Sequence, residues 1–140
     1  MDLTQSIIKL QKKDGSWPMS LLAGEKDPYP ESSGTAFFTY GLLWGINQGL
    51  LSEKEYLPQI LNAWTVLNNA VHPDGKFGWV QGVNDKPDVV AYDDSQLYGV
   101  GAFLLAGSQM YDFVSNNAIS NYRLHACLSP LKDASTACSG

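Results

Sequence analysis

Residues 35–47 read TAFFTYGLLWGIN. At helical spacing Phe37, Tyr40 and Trp44 fall on one face and Phe38, Leu42 and Ile46 on another, leaving no charged face for water. A helix of this kind belongs inside a protein. Ser33 or Thr35 is placed to cap its first N–H groups. A loop that begins at Asp14 and carries Trp17, Tyr29 and three prolines leads into it. One architecture suits such a helix: a ring of helices whose inner members see only protein or a bound molecule.

The flanking segments have a different pattern. Leu3, Ile7 and Leu10 recur at helical spacing among Gln5, Lys9 and Lys12, which predicts a one-sided, outer helix over residues 2–13. After the inner helix, Ser52 and Glu55 have capping-box spacing. Tyr56, Ile60, Ala63, Trp64, Leu67 and Val71 then form a single apolar stripe. This is a second outer helix, with Pro58 implying a short first turn ahead of its main body. His72-Pro73-Asp74-Gly75 ends it. A second loop to about Asp94 holds a short strand at 78–81, GWVQ, and Gln96 to about Phe113 is again apolar nearly all round. Trp44 and Trp64, at helical spacing, read as core.

The order outer helix, loop, inner helix therefore occurs twice. Asp14-Gly15-Ser16-Trp17 returns loosely as Asp74-Gly75-Lys76-Phe77-Gly78-Trp79, sixty positions later. A period of that size signals stacked helical hairpins. Both long loops then emerge at the end where the inner helices begin. Loops of about twenty residues are uncommon in compact domains unless they are used, and helix N-termini at the same end favour a carboxylate. Trp17, Tyr29, Trp79 and Tyr92 crowd this rim, where each can either stack on a sugar ring or roof the core. Glu31 precedes one inner helix and Asp93-Asp94 the other. They read as charges that favour the helix dipoles, with a glycosidase acid/base pair as the other reading.

Composition narrows the partners. The chain has 140 residues, 44% apolar and 16% charged, with a net charge of -5 and no run of Lys or Arg. That excludes a cationic surface for nucleic acid, and no apolar run reaches the roughly twenty residues that span a bilayer. No nucleic-acid or membrane partner is expected. No signal peptide is visible at the first residues, MDLTQSIIKLQKK, and the compartment stays open. Cys127 and Cys138 define neither a disulfide framework nor a metal site. There is no Ser/His/Asp constellation and no glycine-rich phosphate loop.

The words LQKKDGSW, YPESSGTAFFTYGLLWGINQGLL, HPDGKFGWVQ and YGVGAFLLAGSQMY resemble the C-terminal part of the unsaturated rhamnogalacturonyl hydrolases. These form glycoside hydrolase family 105, related to the family 88 unsaturated glucuronyl hydrolases. The resemblance covers about residues 1–113. It implies an all-α chain, part of an (α/α)6 barrel with about four helices present, and an oligosaccharide substrate. It also implies an aspartate that protonates the C4–C5 double bond of a terminal unsaturated uronic acid while water adds at C5, without a metal or other cofactor. That aspartate lies on helices upstream of this sequence in the family, so no catalytic residue carries over. Trp17, Ser33 and Tyr98 resemble positions facing the sugar pocket. The chain is accordingly expected to be an inactive fragment that self-associates through its open flanks. Residues 114–140 match nothing in the family and read as a flexible tail. A rival reading rests on Gln11-x-x-x-Gly15-x-Trp17, the QW repeat of terpene cyclases. A third is a non-catalytic carbohydrate-binding helical repeat.

Overall fold

A computed structural model describes residues 3–83 and 89–128, with side chains as far as 118. Helices α1 (Leu3–Ile8), α2 (Ser32–Asn47), α3 (Glu53–Asn69) and α4 (Leu97–Leu128) follow one another, with a single 3-10 turn at Gly24–Lys26. Among the described residues there is no named strand, only two isolated antiparallel bridges, Trp17 with Glu31 and Val71 with Phe77. The chain is all-α as expected. The inner helices α2 and α4 pack mainly on each other, and α3 lies against α2.

The sixty-residue repeat is present in hydrogen bonds. In the first loop Lys12 N–H donates to the Ser16 carbonyl at 2.8 Å and Gly15 N–H to the Lys12 carbonyl at 2.9 Å. In the second, His72 N–H donates to Lys76 and Gly75 N–H to His72 at the same two distances. Asp14 Oδ1 accepts from Ser16 N–H, and Asp74 Oδ1 from Lys76 N–H. Gly15 and Gly75, at φ 94° and 91°, supply the left-handed residue that both turns require. This register pairs Trp17 with Phe77, not with Trp79. Both are core, at 1% and 3% exposure.

Two apolar clusters share the interior. Trp17, Leu42, Leu43, Tyr56, Ile60, Ala63 and Met110 form the first, and Ala36, Leu67, Ala70, Phe77, Val80, Ala102 and Ala106 the second. The Trp17 indole leans on Phe38 at 5.2 Å, while its Nε1 donates to the Ile7 carbonyl at 2.8 Å. Gln11 of the QW motif spends both protons of its amide locally, on the carbonyls of Gly15 and of Gln59 on α3. Trp64 stacks on Phe103, but Trp44, expected in the core, is 44% exposed, and Phe37 and Leu104 are exposed as well.

Four expectations change. The first helix stops at Ile8 instead of residue 13, because Lys12 N–H and the Gln11 amide are drawn into the turn that follows. Pro58 sits inside α3, with no separate first turn. Its missing N–H deprives only the Lys54 carbonyl, near the helix start, and both residues are exposed to water. The strand expected at 78–81 is an irregular segment: Trp79 N–H reaches the Tyr92 carbonyl and Val80 N–H the Asp94 carbonyl, with no ladder. Helix α4 continues beyond Phe113 to Leu128, so the supposed tail begins within it, and residues 129–140 lie outside the described residues.

Trp17→Ala is expected to lower the unfolding free energy by about 3–5 kcal/mol, the usual cost of truncating a buried indole. Urea unfolding followed by helical circular dichroism measures it. A loss below about 1 kcal/mol would contradict the core assignment.

Candidate functional site

The N-terminus of α2 is built around one carboxylate. Glu31 is 5% exposed and is the N-cap. Its Oε1 accepts from Ser33 N–H at 3.1 Å, Ser33 Oγ at 2.7 Å and Gln81 N–H at 3.4 Å, and its Oε2 from Gly34 N–H at 2.7 Å. Four donors plus the helix dipole make a buried charge tolerable. Thr35 Oγ1 donates to the Glu31 carbonyl and accepts from Trp17 N–H, which fastens the first loop behind the same turn. The cap expected from Ser33 or Thr35 is thus supplied by Glu31, and both hydroxyls bond to Glu31 instead.

The second loop and α4 close on this point. Ser32 Oγ donates to the Gly78 carbonyl at 2.6 Å and Ser32 N–H to the Trp79 carbonyl at 2.9 Å. Val80 is fully buried against α4, where a Cβ on Gly99 would come within 2.6 Å of it. That close approach brings Tyr98 over the loop, and its hydroxyl donates to the Gln81 carbonyl. Burial raises the Tyr98 phenol above its ordinary value, the Glu31 carboxylate adds to the rise, and a hydrogen bond with Ser33 opposes it. Gln81 Oε1 is buried and has no hydrogen-bond partner among the described residues. Ser33, Tyr98 and Gln81 therefore converge on the Glu31 cap.

Trp17 does not join them. Its ring is enclosed in the core, and further protein could only cover it more, so it offers no face for a sugar. The carboxylates expected at equivalent rim positions also differ. Asp93, 82% exposed at its side chain, pairs with Lys76 at 2.8 Å, and Asp94 Oδ2 accepts from Ala91 N–H. Neither belongs to the first turn of α4, which begins at Leu97. His72 stacks on Tyr92 with ring centroids 3.7 Å apart, its Nε2 donating to the Tyr92 carbonyl at 2.8 Å.

The roles of two residues escaped sequence reasoning. Gln81 reads only as the end of a short strand, yet its N–H reaches Glu31 and its carbonyl accepts from Tyr98. Trp79 adopts φ 55°, a conformation that costs a residue with a Cβ about 1–2 kcal/mol and leaves no mark in the sequence.

A family model described as Glycosyl Hydrolase Family 88 matches residues 1–114. The chain belongs to that family. Two family relatives are each named unsaturated 3S-rhamnoglycuronyl hydrolase. The one from Alteromonas sp. (strain LOR) is 46% identical over 106 residues, covering 76% of this chain and 26% of the relative. The one from Formosa agariphila is 43% identical over 109 residues, covering 78% and 29%. Among solved structures, a family 88 glycosyl hydrolase from Bacteroides vulgatus superposes with a TM-score of 0.73 at 44% identity, over 77% of this chain and 32% of that one. A structure described as a polysaccharide lyase gives a TM-score of 0.76 at 42% identity, over 81% and 33%. The chain thus spans about a quarter to a third of the length of the proteins it matches. Family 88 structures are α/α toroids, and α1 to α4 are part of such a toroid. The terpene-cyclase reading is not supported.

The raised Tyr98 pKa has a definite sign. The folded chain keeps a proton that the unfolded chain releases near pH 10.0, so this contribution to stability is complete below that pH and is lost as the pH rises through the folded value. In an ultraviolet phenolate titration, the difference between the native chain and its Tyr98→Phe variant is expected to have a midpoint above pH 10.0, which Glu31→Gln lowers. A midpoint at or below 10.0 would contradict the burial of the phenol, and one that Glu31→Gln leaves unmoved would contradict its proximity to Glu31.

Proposed function

We propose that this chain supplies a substrate-binding rim of a glycoside hydrolase acting on unsaturated uronyl oligosaccharides. Family membership supports the chemistry. The observation that carries the assignment to this rim is the convergence of the Ser33 and Tyr98 hydroxyls with the unpartnered Gln81 Oε1 at the α2 N-terminus. A sugar ring brings hydroxyl donors that a buried acceptor lacks. The Ser33 and Tyr98 oxygens, whose own protons go to Glu31 and to the Gln81 carbonyl, can likewise accept from sugar hydroxyls. Both named relatives refer to a rhamnoglycuronyl substrate, so the substrate proposed is an unsaturated uronic acid joined to a rhamnose-type sugar.

In the proposed reaction a carboxylic acid protonates C4 of the double bond and water adds to C5. The resulting hemiketal opens, the glycosidic bond breaks and the second sugar leaves with the proton. Glu31 does not serve as that acid, since both its oxygens are occupied by donors and it is held as a cap. Asp93 and Asp94 bind Lys76 and Ala91 instead. In this reading the general acid comes from outside the described residues, and Ser33 and Tyr98 hold the uronyl sugar through its hydroxyls. Phe37, Trp44 and Leu104 are exposed apolar side chains of the inner helices, and through such surface the chain by itself associates.

Loss of the ultraviolet absorbance of the conjugated double bond tests this reading. The 140-residue chain alone is expected to give none. Within an entire, active family 88 domain, Ser33→Ala and Tyr98→Phe are each expected to raise KM about three- to tenfold, the worth of a neutral hydrogen bond, with a smaller change in kcat. An unchanged KM in both variants would overturn the binding assignment. Turnover by the chain alone would overturn the assignment of Glu31 as a cap.

A further inference from the structure

Trp79 also lines a hollow separate from the α2 site. It encloses about 210 Å3 between Asp14 and Pro30 of the first loop, Ser32 at the start of α2, Val66 and Asn69 on α3, and Trp79 of the second loop. Ser33, Gln81 and Tyr98 are not among its walls. The hollow lies at the junction of the two repeats, with walls from both, so the chain forms it without help from another polypeptide.

We propose that this hollow binds one neutral pyranose ring. Its volume falls below the roughly 300–1,000 Å3 of sites for drug-sized ligands, which limits the occupant to a single ring. The chemistry of the walls is amphipathic in the way a sugar is. Trp79, Pro30 and Val66 present apolar surface to ring C–H groups, while Asp14, 48% exposed at its side chain, and the exposed Asn69 offer an acceptor and an amide to hydroxyls. An anionic sugar is disfavoured. The Asp14 carboxylate faces it, and the cation nearest to hand, Lys12, is 7% exposed and already bonded to Asp14 and the Tyr29 carbonyl.

The backbone supplies a second, independent observation. Trp79 is held at φ 55° by bonds at both ends of its peptide unit, from its N–H to Tyr92 and from Ser32 N–H and Oγ to its carbonyl. Tyr92 is itself pinned by the His72 stack. Strain of this kind persists where the surrounding structure dictates a side chain's direction. A glycine would adopt the same backbone freely, so the indole is the feature that the clamp directs.

Ligand-detected saturation-transfer NMR of the chain tests the proposal, with methyl rhamnopyranoside as the neutral probe and methyl glucuronopyranoside as the anionic one. The neutral glycoside is expected to bind on the order of millimolar, and the uronide, a ligand for the α2 site, not to compete with it. Trp79→Gly, which keeps the turn and removes the ring, is expected to weaken it about tenfold. Asn69→Arg, an exposed change that fills the hollow, is expected to do the same, and Ser33→Ala to leave binding intact. Competition by the uronide, no saturation of the neutral probe, or its binding retained in both Trp79→Gly and Asn69→Arg would overturn the proposal. So would a loss in Ser33→Ala with none in Asn69→Arg, which would place the sugar at the α2 site.

Discussion

A single buried carboxylate organises the rim. Glu31 sits at the start of a helix that has no charged face, and its two oxygens gather N–H groups from that helix and from a loop fifty residues away in sequence. Ion and donors depend on each other. Without the donors the charge would be costly to bury, and without the charge the first N–H groups of α2 and the amide of Gln81 would be unpaired in the interior. Because the partners come from both repeats, the cap joins one hairpin to the next as well as ending a helix.

The rest of the rim follows from that joint. With the second loop held at Gln81 by Glu31, and at Gly78 and Trp79 by Ser32, Val80 is pressed into the space that Gly99 leaves on α4. Tyr98, one residue earlier, then reaches back to Gln81 and the Ser33 region. Trp17 and Phe77, equivalent in the two turns, fill the interior beneath, so the repeat places aromatic mass under the rim and polar groups upon it. Function in this account needs both layers: a core that fixes the loops and polar groups, the part-exposed Tyr98 among them, that the loops gather at the rim.

Much of the architecture was legible because periodicity and turn chemistry are local. The absence of any charged face on TAFFTYGLLWGIN marked α2 as internal, and the Asp-Gly pairs at positions 14–15 and 74–75 marked matching turns. Which residues face a ligand was harder to read, because that depends on groups distant in sequence. Ser33 reads as a cap by residue type, yet Glu31 wins because its longer side chain can reach two backbone N–H groups and a third from the second loop. Trp17 in a long loop reads equally as platform or core, and only the bond from its Nε1 to Ile7 and its contact with Phe38 decide for the core. Pro58 reads as a boundary, but water replaces the one bond it removes. Family resemblance pointed to Ser33 and Tyr98 as residues of one rim, but their meeting at Gln81 depends on the second loop's fold and was not legible.

Amide hydrogen exchange by NMR, comparing the native chain with Glu31→Ala, tests the central claim most directly. If the carboxylate is the joint, the N–H groups of Ser33, Gly34 and Gln81 are protected together in the native chain and lose that protection together in the variant, while amides in the middle of α3 keep theirs. Protection lost at Ser33 and Gly34 but retained at Gln81 would mean that the second loop is held by other means, and the claim that one buried charge joins the two hairpins would fail.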